Sequence, residues 1–166
     1  DDNKNLKIFG SVDFTEEDLK RYAEYIEKAM QLSIPNIIAH PDIYMMKREK
    51  FGDIEEKVAH MICKSAEKYN IPLEINLNDI FYKTYFENKK LNDFPIEKQK
   101  EKLSNVQYPN KEFWNIATKY DIKVLYGIDA HYKGQIALWN ELLKLAHEIL
   151  GEKVISKLNF IDSDKF

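Results

Sequence analysis

A single cysteine, Cys63, is the whole thiol content of this 166-residue chain. No disulfide can form within it, so packing must hold the fold, and a reducing, cytoplasmic setting is the compartment expected. Glycine and proline are sparse, five of each, and no internal repeat or low-complexity segment stands out. The longest apolar runs fall far short of a membrane span. Neither sign of charge dominates: 25 basic against 28 acidic groups leave a net charge of −3. That balance argues against a protein dedicated to wrapping nucleic acid or lying on an anionic membrane. Residues Asp1–Lys7 lack signal-peptide character, and with no initiator Met a processed or truncated chain is expected. What the chain does have is apolar and aromatic surface. Ten Tyr and nine Phe within 44% hydrophobic residues exclude a disordered tail, and the length suits one domain with a sizeable core.

Alternating helices and strands are predicted along the chain. A weak strand is expected at Leu6–Phe9. Thr15 followed by Glu16, Glu17 and Asp18 reads as a capped helix start. Leu19, Ala23, Ile26 and Met30 then place one apolar stripe on a helix over 16–32, which Pro35 ends. Asn36–His40, bounded by Pro35 and Pro41, reads as a short buried strand. Asp53 with Glu56 suggests a capping box for a helix running to about residue 69, carrying Ile54, Val58, Met61 and Ile62. Ile71–Leu77 has strand composition, and residues 78–107 read as a long loop holding short helical pieces. Asn110 caps a helix with Phe113, Trp114 and Ala117 that Asp121 ends, and Ile122–Tyr126 forms a third buried strand. A last helix over 135–150 stops at Gly151. Short apolar strands between amphipathic helices predict a parallel α/β sheet or barrel, whose chemistry collects at the strand C-termini.

The strand ends carry hard ligands. The first runs into His40-Pro41-Asp42, the second carries Glu74 and Asn76, and the third runs into Gly127-Ile128-Asp129-Ala130-His131. If the strands are parallel, all three clusters share one rim. Two imidazoles and a carboxylate there suit a divalent transition metal such as zinc, manganese or iron. Each cluster alone is equally explained by a hydrogen-bonded structural residue, and Glu74 by an ordinary paired acid. Only their joint placement favours ligation.

The segments Ala39–Asp42 (AHPD), Leu73–Asn76 (LEIN), Tyr108–Trp114 (YPNKEFW) and Gly127–His131 (GIDAH) together resemble the C-terminal part of a PHP domain, the polymerase and histidinol phosphatase family. Phe14–Met30 is similar to the helix that the histidinol-phosphatase branch places before its His-Pro-Asp. The resemblance implies the C-terminal portion of a distorted (β/α)7 barrel, with up to three divalent ions at the strand C-termini. Carried over singly, it makes His40, Asp129 and His131 metal ligands, each serving a different ion. Glu74 and Asn76 become residues behind the ligands or facing the substrate. Ile128 stands where the family usually has serine. The family's N-terminal His-x-His and its following Glu and His ligands have no counterpart in this sequence. The expected partners are therefore a small phosphorylated substrate and the missing N-terminal portion of the same protein.

The activity so implied is a metal-dependent phosphatase, with histidinol phosphate, of histidine biosynthesis, as first substrate. A fragment lacking most ligands should be inactive alone. Other phosphodiester cleavage, nucleases included, and a non-catalytic assembly module are the competing readings. Other residues carry weaker signals. His60 and Cys63 are assigned to an exposed face of their helix and His147 to a boundary or surface position. Lys98, Lys100 and Lys102, alternating with Glu97 and Glu101, read as a solvated helix surface. Lys47, Arg48, Lys89 and Lys90 read as solvated charges. Phe81, Tyr82, Tyr85 and Phe86 read as loop aromatics packed on the core. An unclosed barrel has two open sheet edges, so self-association of the chain is expected.

Overall fold

A computed structural model describes residues 14–85, 93–131 and 133–161; the strand expected at Leu6–Phe9, together with Phe86, Lys89 and Lys90, lies outside them. Helix α1 (Glu16–Gln31) starts where expected. The Thr15 hydroxyl accepts the Asp18 N–H at 3.2 Å while the Asp18 carboxylate accepts the Thr15 N–H at 2.9 Å. It buries Leu19, Ala23 and Met30. The helix stops at Gln31, before Pro35, because Ser33 turns into the left-handed region at φ 53°. Helix α2 (Asp53–Tyr69) packs along α1. Its cap differs from expectation: Gly52 is the capping residue, and Glu55, not Glu56, reaches back to the Gly52 N–H at 3.0 Å. Asp53 is already inside the first turn, where its charge meets the positive helix end.

Three parallel strands follow in spatial order β1 (Leu73–Asn76), β2 (Lys123–Gly127) and β3 (Asn159–Phe160). Leu73 pairs with Val124, Asn76 with Gly127, and Lys123 with Asn159. The strand expected at 36–40 is reduced to one parallel bridge between Ile38 and Leu73. The Ile38 N–H reaches Pro72 O at 2.9 Å, and Ile38 O accepts Glu74 N–H at 3.0 Å. Pro35 and Pro41, lacking N–H groups, bound a segment too short for more ladder.

Between β1 and β2 lie α3 (Asn78–Thr84), α4 (Ile96–Ser104) and α5 (Lys111–Ala117). The short helical pieces expected within residues 78–107 are α3 and α4. In α5 the Asn110 side chain accepts the Phe113 N–H at 3.1 Å, as its position in the sequence predicts. The last helical stretch is broken into α6 (Lys133–Ile136), α7 (Trp139–Leu150) and α8 (Glu152–Ile155). Gly151 ends α7 at φ 80° and begins α8, and the short β3 after it was not anticipated.

Leu73, Ile75 and Val124 of the sheet are buried against Trp114, Phe113, Ile62 and Leu142 from the helices. The architecture is therefore mixed α/β, a small open parallel sheet with helices outside it. Because the paired segments run parallel, every strand delivers its C-terminal end to the same edge.

Candidate functional site

Two backbone corners mark that edge. His40, two residues past the Ile38 bridge, has φ 32°, and Asp129, two residues past the end of β2, has φ 46°. Neither is glycine, so each corner sits in a sparsely populated region that only its surroundings can maintain.

Glu74 secures the first corner. Its Oε2 accepts the His40 N–H at 3.0 Å and an Asn76 amide proton at 2.9 Å. The side chain lies across β2 at Gly127, where a Cβ would overlap Glu74 Oε1. Gly127 is thus explained by close approach of a carboxylate, not by an unusual φ. The polar chain continues through buried amides. Asn76 Oδ1 accepts the Asn78 N–H at 2.9 Å, and Asn78 Nδ2 donates to Asp129 Oδ2 at 3.2 Å. Gln135 Nε2 donates to Asn78 Oδ1 at 3.0 Å, and Gln135 Oε1 accepts the His131 N–H at 2.6 Å.

His131 Nδ1 lies 2.7 Å from Asp129 O. A carbonyl can only accept, so Nδ1 carries the proton and Nε2 keeps the lone pair that a cation would use. His131 and Asp129 are exposed on the rim and His40 is half-buried. Hydrogen bonds through Glu74, Asn76 and Asn78 link His40 to Asp129, and Gln135 extends the chain to His131. The donor types suit zinc, manganese or iron. Among the described residues, however, no group of three or more His, Cys, Asp or Glu side chains converges on a point that could hold an ion. The three donors occupy one rim without forming a closed cage.

Asp42 closes the strand-end cluster His40-Pro41-Asp42, but the resemblance gives it no role of its own. It is wholly buried. Its Oδ2 accepts the Asn110 N–H at 2.7 Å and the Trp114 Nε1–H at 3.0 Å, while Oδ1 has no partner among the described residues. Burial pushes its carboxyl up to about 7, against the lowering effect of the Asn110 and Trp114 hydrogen bonds. Asp42 pins the corner after His40 onto the start of α5. His40 Nδ1 is also buried without a partner among the described residues, and the Tyr108 ring stands beside it at 6.5 Å between centroids. What the sequence leaves open for Asp42 is its burial, which Asn110 and Trp114, distant in sequence, decide. Asn78 and Gln135 offered no clue, since isolated amides carry no spacing rule.

The remaining candidates resolve by contact. Cys63 is buried, not on an exposed face, and burial pushes its thiol up, which leaves it a poor nucleophile. His60 is half-buried, its Nδ1 2.6 Å from the Tyr120 hydroxyl. Of the two, Cys63 turns into the core, whereas His60 stays partly exposed between Tyr120 and Glu56. His147 holds the Tyr126 hydroxyl at 2.9 Å. Arg48 is not a solvated charge: it binds the Glu55 carboxylate and donates to Phe14 O at 3.1 Å. Lys47 is exposed. Phe81 packs on the core, whereas Tyr82 is 49% exposed. Helix α4 buries no residue and its Lys98 and Lys100 are exposed, whereas Lys102 is half-buried, donating to Lys83 O at 3.4 Å and reaching over the Phe94 ring at 4.5 Å. No helix among the described residues is long and apolar enough to cross a membrane. Comparison of the chain with family models, with curated proteins and with solved structures finds no match.

Proposed function

We propose that this chain is the C-terminal portion of a metal-dependent phosphoesterase of histidinol-phosphatase type, cytoplasmic, with a barrel completed by sequence outside these 166 residues. The observation that carries the reading is the shared rim. His40, Asp129 and His131 stand at the C-terminal ends of parallel neighbouring segments, tied into one hydrogen-bonded chain. In the complete protein these three would each hold a divalent ion, and further ligands would come from the N-terminal portion. Bound ions of that kind supply hydroxide near neutral pH and offset phosphoryl charge. The contribution of the chain itself is orientation. Glu74 holds the His40 backbone, and the Asp129 carbonyl sets the His131 tautomer so that Nε2 keeps its lone pair.

The test is metal analysis and phosphatase assay of the full-length protein carrying H40A, D129A or H131A. The expected outcome is loss of bound metal and at least about 100-fold lower turnover of histidinol phosphate in each. Unchanged metal content and rate in all three would refute the reading. A panel adding oligonucleotides separates a phosphomonoesterase from a nuclease, and a full-length protein that turns over neither would be an assembly module.

A further inference from the structure

We infer that Asn78 and Gln135 are positioning residues that lock the corner 127–131 onto α3 and so set where the Asp129 carboxylate and the His131 ring stand. The inference rests on that rim being the binding site proposed above. Gln135 is fully buried and Asn78 is 5% exposed. A buried amide is costly unless both of its ends are satisfied, and here both are. Gln135 accepts from the His131 N–H at 2.6 Å and donates to Asn78 Oδ1 at 3.0 Å; Asn78 in turn donates to Asp129 Oδ2 at 3.2 Å.

The two ends of this relay cannot change role. A backbone N–H only donates, and an ionised carboxylate only accepts. Between those fixed ends, each amide has one orientation that satisfies all three bonds. Residues 129–131 are themselves exposed, and Asp129 has φ 46°. A corner of that kind would populate several conformations if the relay did not select one. Amides behind ligands commonly set affinity in this way without touching the ion.

The polarity makes the idea testable. In Q135E the acceptor for His131 survives, but an oxygen replaces the donor facing Asn78 Oδ1. Asn78 relieves that clash only by flipping, which aims its own oxygen at Asp129. The mismatch thus travels to the carboxylate. In N78D the clash with Asp129 is direct. The pair N78D/D129N reverses the polarity of that one bond and restores it, but leaves an amide where the rim had a carboxylate.

The experiment follows backbone amides of the full-length protein by NMR, with hydrogen exchange and with Mn²⁺ as a paramagnetic probe. In the wild type the His131 amide should exchange more slowly than that of exposed Ala130, and Mn²⁺ should broaden signals at 129–131. Q135E and N78D should each lose about tenfold in His131 protection and need about tenfold more Mn²⁺ for equal broadening. N78D/D129N should recover the protection without recovering the Mn²⁺ response, which a residue acting only through stability would not do. If Q135E fails to fold, N78D carries the same readouts. Unaltered protection or an unaltered Mn²⁺ midpoint in the folded variants would overturn the inference. A wild-type rim indifferent to Mn²⁺, with His131 protection still lost in Q135E, would instead overturn the metal reading and leave the corner lock standing.

Discussion

Asp42 and Gly127 show how much a single position carries here. Burial holds the Asp42 carboxyl near 7 in the folded chain against an ordinary value of 3.8. Between those values the folded state binds the extra proton, so stability falls as pH rises through that window and the penalty is complete above it. D42N keeps an oxygen for the Asn110 and Trp114 donors and cannot ionise. The wild type should therefore lose ground to D42N between pH 4 and 8, by on the order of 4 kcal/mol. Paired thermal melts across that range read the difference, and parallel curves would show that Asp42 does not ionise against its surroundings. Gly127 is constrained by the Glu74 carboxylate lying over it. G127A should cost about 1–3 kcal/mol by displacing Glu74, and much less in an E74A background, where nothing is displaced. Urea unfolding of the four-member cycle measures that coupling; an equal cost in both backgrounds would mean that Glu74 is not what excludes a side chain at 127.

Among elements, helix starts were the most legible features and strand extents the least. A cap is a local exchange of hydrogen bonds between residues three apart, so Thr15 with Asp18, and Asn110 with the Phe113 N–H, could be found in the sequence. T15A should lower stability by about 1 kcal/mol, seen as an earlier denaturant midpoint with an unchanged slope; no shift would show that α1 holds by packing alone. At α2 the same rule picked the wrong residues, since Gly52 has no side chain to announce itself and Glu55 supplies the bond. The 36–40 segment has strand composition yet forms one bridge, and β3 pairs only Asn159 and Phe160. Strand pairing depends on a neighbour distant in sequence, and no local pattern states how far the ladder runs. Cys63 shows the same limit on a helix: its assignment to an exposed face fails because α5, distant in sequence, packs on α2.

For the whole molecule the governing fact is that the sheet does not close among the described residues. Among the described residues it ends at the Ile38 bridge on one side and at β3 on the other. Open edges template pairing with other strands. The isolated chain should therefore self-associate as its concentration rises, which sedimentation velocity would report; one monomeric species throughout would show that both edges are protected.

The helices beginning at Glu16 and Lys111, the strands around Leu73–Asn76 and Lys123–Gly127, and the polar residues at their ends were determined by the sequence alone. Each follows from periodicity or from a hydrogen bond between near neighbours, and these act over a few residues. The tertiary structure decided what those residues meet. It set Glu74 across Gly127, sank Asp42 between the His40 corner and α5, and threaded Asn78 and Gln135 between the corner after β2 and α3. Burial and long-range hydrogen bonding are properties of the assembled neighbourhood, and no residue carries them in its own identity.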